Sequence, residues 1–113
     1  MKKSYNLGIE GEKIASEYLK QMGYAILETR LRVLGGEIDI IAKDGKVFCF
    51  IEVKYRPKAR LGEALESVDD NKRRTVRMAA KKYMEKNNIK AKMRFDIIEI
   101  SRVGVWHLKG GDL

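Results

Sequence analysis

The stretch Gly36–Arg56, GEIDIIAKDGKVFCFIEVKYR, decides how this chain is read. Its apolar runs and central Asp44-Gly45 dipeptide predict two core strands joined by a tight type I′ hairpin turn. Yet Glu37, Asp39, Glu52 and Lys54 stand among Ile, Val and Phe. Burying an unpaired charge is costly, so each of these groups needs a partner or a task.

Strand side chains alternate between faces, which puts Glu37, Asp39 and Ile41 on one face and Phe48, Phe50, Glu52 and Lys54 on one face of the next strand. A two-residue Asp44-Gly45 loop pairs Lys43 with Lys46, Asp39 with Phe50 and Glu37 with Glu52. Asp39 is then a diagonal neighbour of Glu52, about 7–8 Å away. The expectation is a cluster of Glu37, Asp39, Glu52 and Lys54 on one side of the sheet. Three carboxylates this close resist full ionisation unless a cation intervenes, and Lys54 balances only one charge. A hard divalent ion with oxygen ligands, Mg²⁺ or Mn²⁺, suits them. The competing reading is a salt-bridge network of Lys54 and Arg56 with the acids at a sheet edge.

Outward from the hairpin, Leu7, Ile14, Tyr18 and Met22 recur at helical spacing and predict a helix over 7–22, stopped near Gly23. Glu12 lies at the margin of its apolar face, and Gly8 and Gly11 leave room for close approach to the sheet or a ligand. YAILETRLRV reads as a strand that Gly35-Gly36 breaks. Pro57 ends the second hairpin strand, and KARLGE reads as a loop. A second helix is expected over 69–87, with Ser67 and Asp70 as a capping-box variant. A strand over 92–101 follows, and VGVWHLK reads as a short final strand. The order is α-β-β-β-α-β plus one strand. An antiparallel hairpin combined with a β-α-β crossover makes the fold α/β, with a mixed central sheet flanked by helices.

The chain has 113 residues, enough for a single domain spanning 1–113 with a true core. Basic residues at the N-terminus have no apolar run behind them, and no stretch nears the ~20 apolar residues of a membrane span, so the expected setting is the cytoplasm. One cysteine, Cys49, precludes an intramolecular disulfide, and one histidine, His107, precludes a His-centred metal site. Net charge is +8, and Lys72–Arg94 holds ten basic residues against Glu85 alone, so that segment carries +9 and the remainder −1. Basic charge beside an acidic cluster suits a polyanion that must also meet a metal ion. Arg73, Arg74, Arg77, Lys81 and Lys82 are the candidate nucleic-acid contacts. Lys72 instead falls in the apolar stripe of Leu65, Val76, Ala79 and Tyr83. From there it either snorkels or reaches the acids or a phosphate. Cys49 reads as core, His107 as a strand or tail residue, and Asp96 as a structural hydrogen-bond acceptor. Tyr5, Tyr55 and Trp106 read as packing residues before base-stacking ones.

The acid followed by Glu52-Val53-Lys54 resembles the PD-(D/E)xK motif of restriction-endonuclease-like nucleases. A longer set is more specific: Gly8-x-x-Gly11-Glu12-x-x-Ala15, Gly36-Glu37-Ile38-Asp39, Ile51-Glu52-Val53-Lys54-x-Arg56, Gly62 with Lys72, and Arg94-Phe95-Asp96. Together, from Gly8 to Ile100, they resemble the YraN family of small bacterial proteins, related to archaeal Holliday-junction resolvases. The resemblance implies a restriction-endonuclease-like αβββαβ core and a Mg²⁺- or Mn²⁺-dependent endonuclease acting on DNA. It implies Asp39, Glu52, Glu12 and the Val53 carbonyl as metal ligands, with Lys54 orienting water and steadying developing charge. Glu37, Lys72 and Arg56 are secondary candidates. The Pro usual before the first acid is Ile38 here, which leaves the carboxylate in place. Few residues look like base readers, so branched or single-stranded DNA is expected over a specific sequence. A binding module without catalysis and a nuclease acting on RNA are the alternatives. A homodimer is expected by analogy, since a junction presents two cleavage points.

Overall fold

The computed structural model describes residues 2–33, 36–57 and 70–113. Its elements are α1 (Lys2–Gln21), β1 (Ala25–Val33), β2 (Gly36–Asp44), β3 (Val47–Tyr55), α2 (Asp70–Lys86), β4 (Met93–Ser101) and β5 (Gly104–Asp112). This is the expected α/β order. The expectations for Gly35, the KARLGE loop, Gly62, Leu65, Ser67 and the Tyr5 side chain lie outside the described residues.

The five strands form one sheet in sequence order. Pairing is antiparallel throughout except between β3 and β4, which α2 connects as parallel neighbours. A helix covers each face. On one, Ala15 and Leu19 of α1 pack with Tyr24, Ile40, Ala42, Cys49, Ile51, Ile98 and Ile100. On the other, Val76, Ala79, Ala80 and Met84 of α2 pack with Ile41, Phe48, Phe50, Phe95 and Ile97. Each large apolar side chain buried this way stabilises the fold by about 1.5–3 kcal/mol before entropy is counted. Among the described residues, no helix is long and apolar enough to cross a membrane.

Both helices end the same way. Gly23 takes φ 92° after α1, with its N–H bonded to the Lys20 carbonyl and the Tyr24 N–H to the Leu19 carbonyl. Asn88 takes φ 55° after α2, and the Asn88 and Ile89 N–H groups bond to Glu85 and Met84. These are Schellman caps, and each brings an apolar residue back onto the helix: Tyr24 onto Leu19, and Ile89 onto the Met84 cluster.

Three details differ from the sequence reading. The hairpin turn is Gly45-Lys46, because Asp44 pairs with Val47 and Lys43 with Phe48. Only Gly45 of the two has positive φ, 61°, as a type II′ turn requires, so Asn-Gly-like logic placed the turn one residue early. The final strand is not short: β5 has nine residues, as β4 has. A Cβ on Gly110 would overlap the Phe95 carbonyl oxygen, so glycine is what lets β5 continue against β4. Of the two helix glycines, only Gly11 makes a close approach, since a Cβ on it would lie 2.9 Å from Tyr55 Cβ; Gly8 faces open space.

Candidate active site

The site is built where two strands part. β2 stays paired with β1 as far as Gly36↔Val33, but its pairing with β3 stops at Ile40↔Ile51. Beyond that point the Val53 N–H donates to Asp39 Oδ2 at 2.8 Å instead of to a backbone carbonyl. A strand residue's C=O leaves on the same side as its N–H, so the Val53 carbonyl also faces the fork. Alternation along β2 is broken here as well. Ile38 and Ile41 both pack on the α2 side, while Ile40 packs on the α1 side. Glu37 and Asp39 therefore do not share a regular face with Glu52 and Lys54, as strict alternation predicted.

Glu12 of α1 meets this break. One carboxylate oxygen from each of Glu12, Glu37 and Asp39 lies within 4.8 Å of the others. Glu52, on β3, faces α2: its Oε1 accepts from Lys72 Nζ at 2.8 Å and lies 3.9 Å from Lys54 Nζ. Its other oxygen, Oε2, is buried and has no hydrogen-bond partner. Glu37, Asp39, Glu52 and Lys72 together line a narrow cleft with about 10 Å³ of space, room for one water or small ion. The structure thus brings Glu12, Glu37 and Asp39 into one group, and sets Glu52 with Lys54 and Lys72 alongside.

Electrostatics register the crowding. Burial raises the Glu12 carboxyl to about 6; Arg30 lowers it in part, and Asp39 and Glu37 add to the rise. Burial also raises Asp39, against the Val53 N–H, while Glu52 and Glu37 push it further and Lys72 opposes them. Burial first, and the neighbouring acids second, thus disfavour the charged forms of Glu12 and Asp39, a penalty that a bound cation would offset.

Arg30 joins this candidate site without any local signal in the chain. It stands on β1 between Thr29↔Ile40 and Leu31↔Ile38, so the register sets it opposite Asp39. Its φ is 55°, a conformation that costs a non-glycine residue about 1–3 kcal/mol and clusters at functional sites. That twist carries its guanidinium to 3.5 Å from Glu12 Oε2. In the sequence, Arg30 is one of two arginines in TRLR, and no local signal separates them.

Arg56 is exposed one residue past β3, with its backbone N–H bonded to Ile100. Arg73, Arg74, Arg77, Lys81 and Lys82 are all exposed along α2, while Lys72 in its first turn is half-buried against Glu52. Asp96 lies apart, on the α1 side. Its carboxylate accepts from Arg94 Nε and Nη2 at 2.8 and 2.9 Å, and from the Gly110 N–H at 3.2 Å. His107 Nε2 is 2.8 Å from it, with Nδ1 3.0 Å from the Tyr18 hydroxyl. Arg94 also reaches the Tyr24 hydroxyl and Asp44. The Arg94-Phe95-Asp96 motif therefore ties β4 to β5 and α1, which explains it without catalysis. Cys49 is fully buried in the α1-side core.

An αβββαβ order with carboxylates gathered at a strand fork and a basic second helix defines the class: an α/β domain with a candidate cation centre. Comparison with known proteins gives the family. Residues 11–100 match the sequence profile described as "Uncharacterised protein family UPF0102". A UPF0102 protein of Clostridium kluyveri is 49% identical over 96 residues, covering 84% of this chain and 79% of that protein. One from Persephonella marina is 42% identical over 107 residues, covering 94% and 92%. One from Shewanella sediminis is 41% identical over 93 residues, covering 82% and 80%. The chain belongs to the UPF0102 family, which is the YraN family its motifs resemble.

Proposed function

We propose that this protein is a divalent-metal-dependent endonuclease that hydrolyses phosphodiester bonds in DNA and selects structure rather than sequence. The observation that carries the reading is the buried, unpartnered Oε2 of Glu52 beside the Glu12–Glu37–Asp39 group. Leaving a buried charged oxygen without a donor costs more than a typical hydrogen bond returns, so the arrangement makes sense when a cation completes it. The donor set fits a hard ion, since all four side chains offer oxygen. Asp39, Glu52, Glu12 and the Val53 carbonyl would hold Mg²⁺ or Mn²⁺, with Glu37 in reserve. When bound, such an ion supplies Lewis acidity to the phosphodiester and acidifies water.

The chain's own groups do the rest. The Val53 N–H fixes the Asp39 carboxylate at the fork, so its direction is set before substrate arrives. Lys54 and Lys72 place two ammonium groups next to Glu52, where negative charge grows on a phosphate under attack. Hydrolysis adds water across one P–O bond and leaves a phosphate monoester and a sugar hydroxyl. The exposed cations of α2 hold the backbone through sequence-independent contacts whose strength falls with salt.

One observation favours a second reading, a binding module without catalysis: Lys72 and Arg30 already neutralise Glu52 and Glu12 in part. The test is incubation of purified protein with branched, duplex and single-stranded DNA and structured RNA, with Mg²⁺, Mn²⁺ or EDTA. Cutting that needs the metal and disappears in Asp39→Ala and Lys54→Ala supports the nuclease. Cutting that survives both substitutions is a contaminant and removes the assignment. Salt-sensitive binding without cutting supports the module, and cutting confined to RNA moves the substrate class.

A further inference from the structure

Residues paired directly across neighbouring strands show their side chains on one face. Lys54 pairs with Glu99 and Glu99 with Trp106; Glu52 pairs with Ile97 and Ile97 with Leu108. Two rows, Lys54–Glu99–Trp106 and Glu52–Ile97–Leu108, therefore cross β3, β4 and β5 on the face that α2 packs against. Their middle members are buried, at 0% exposure for Glu99 and 6% for Ile97. Their outer members are open: Trp106 is 47% exposed and Leu108 44%. With strands about 4.8 Å apart, the Trp106 backbone lies about 10 Å from that of Lys54.

Positive charge brackets this ledge. Lys54 and Lys72 stand at its inner side by Glu52. Arg73, from the first turn of α2, reaches over β5, where a Cβ on Gly111 would lie 3.5 Å from its Nη2. An exposed indole and a leucine between cations, one row from the acid centre, suit a flat apolar group tethered to phosphates. We propose that Trp106, with Leu108, is a stacking platform for an unpaired nucleobase of a strand whose phosphates run along Lys54, Lys72 and Arg73. The proposal rests on the nucleic-acid reading above and deepens it by naming what is recognised. A base inside a duplex has both faces covered by its neighbours and cannot lie on the indole, so the platform favours single strands and branch points.

Trp106 is the only tryptophan, so intrinsic fluorescence reports on this one position. The full chain is titrated in EDTA with a short oligothymidine and with a blunt duplex, following tryptophan emission and the anisotropy of a dye on the nucleic acid. Oligothymidine quenches the emission, and the duplex leaves it nearly unchanged. Trp106→Ala weakens oligothymidine binding about 5- to 150-fold and changes duplex binding less than about twofold, while Trp106→Phe keeps most of the affinity. Binding seen by anisotropy with unchanged emission overturns the platform, as does an equal loss for both probes in Trp106→Ala. Sedimentation of the same variant supplies a further check: a dimer that becomes a monomer makes the ledge a subunit interface and overturns the proposal. Quenching without Mn²⁺-dependent cutting keeps the platform and removes the nuclease.

Discussion

Replacing Asp96 by alanine should be among the most damaging single changes in this protein, although Asp96 lies outside the candidate site. Its carboxylate is fully buried and gathers two bonds from Arg94, one from the Gly110 N–H and the contact with His107. Burial by itself would raise its pKa, but the bonds and charges of His107 and Arg94 outweigh that and hold it below the ordinary value. Removing it takes from Arg94, 15% exposed, its closest charged partner, leaves it Asp44 and the Tyr24 hydroxyl, and opens a pocket beside His107. Breaking one half of such a pair costs about 3–5 kcal/mol. A domain this size has about 6–17 kcal/mol in all, so the loss is a large fraction of it. At roughly 4 °C per kcal/mol, the melting temperature falls about 12–20 °C. Calorimetry at neutral pH measures the shift. An Arg94→Met, Asp96→Leu double variant should recover much of it, because apolar replacement of a buried pair is often neutral. The pH dependence follows from the same depressed pKa. The stabilisation is present above the unfolded value of 3.8 and is lost as pH falls through the lower folded value. A single Asp96→Ala loss under 1 kcal/mol, with an unchanged acid limb, would refute this reasoning.

The two helix glycines should respond with opposite sign. Gly11→Ala forces a methyl against Tyr55 and destabilises by about 1–3 kcal/mol, whereas Gly8→Ala, in open space, gains up to about 1 kcal/mol from helix propensity; urea melts decide both. Mn²⁺ at a hundred times its dissociation constant should stabilise the wild type by about 2.7 kcal/mol, with EDTA reversing the gain and Asp39→Ala abolishing it. An Asp39→Ala protein stabilised as strongly as wild type would place the ion elsewhere. In DNA binding, Arg77→Ala should reduce the slope of log affinity against log salt by about 1, while an unchanged slope would take Arg77 out of phosphate contact.

Much of the fold was legible in the residue pattern. The 3.6 period of Ile14, Tyr18 and the residues flanking them marks α1, and the apolar runs beside Asp44-Gly45 mark the hairpin. The charges in those runs marked the stretch where the structure gathers Glu37, Asp39 and Glu52 along one cleft. The turn position, the full length of β5 and the shape of the site were not legible, because each depends on contacts distant in sequence. Nothing local in the sequence shows why position 110 is glycine; the Phe95 carbonyl packed against it does. His107 reads as an isolated histidine until β5 lays it between Asp96 and Tyr18.

The sequence by itself marked Glu12, Glu37, Asp39, Glu52, Lys54 and Lys72 as candidates for one site, since charges in apolar strands need a partner or a task and the motif spacing groups them. Only the tertiary structure decided how they divide. Strict alternation put the strand acids on one face, but β2 leaves β3 after Ile40, and Val53 turns its N–H to Asp39. That split brings Glu37 and Asp39 to Glu12 of α1, while Glu52 lines the same cleft from the α2 side beside Lys72. It also admits Arg30, whose left-handed backbone is a consequence of pairing and packing rather than of its own preference. Local periodicity fixes which residues can share a face, but where two strands separate is set by the helices packed on either side of them.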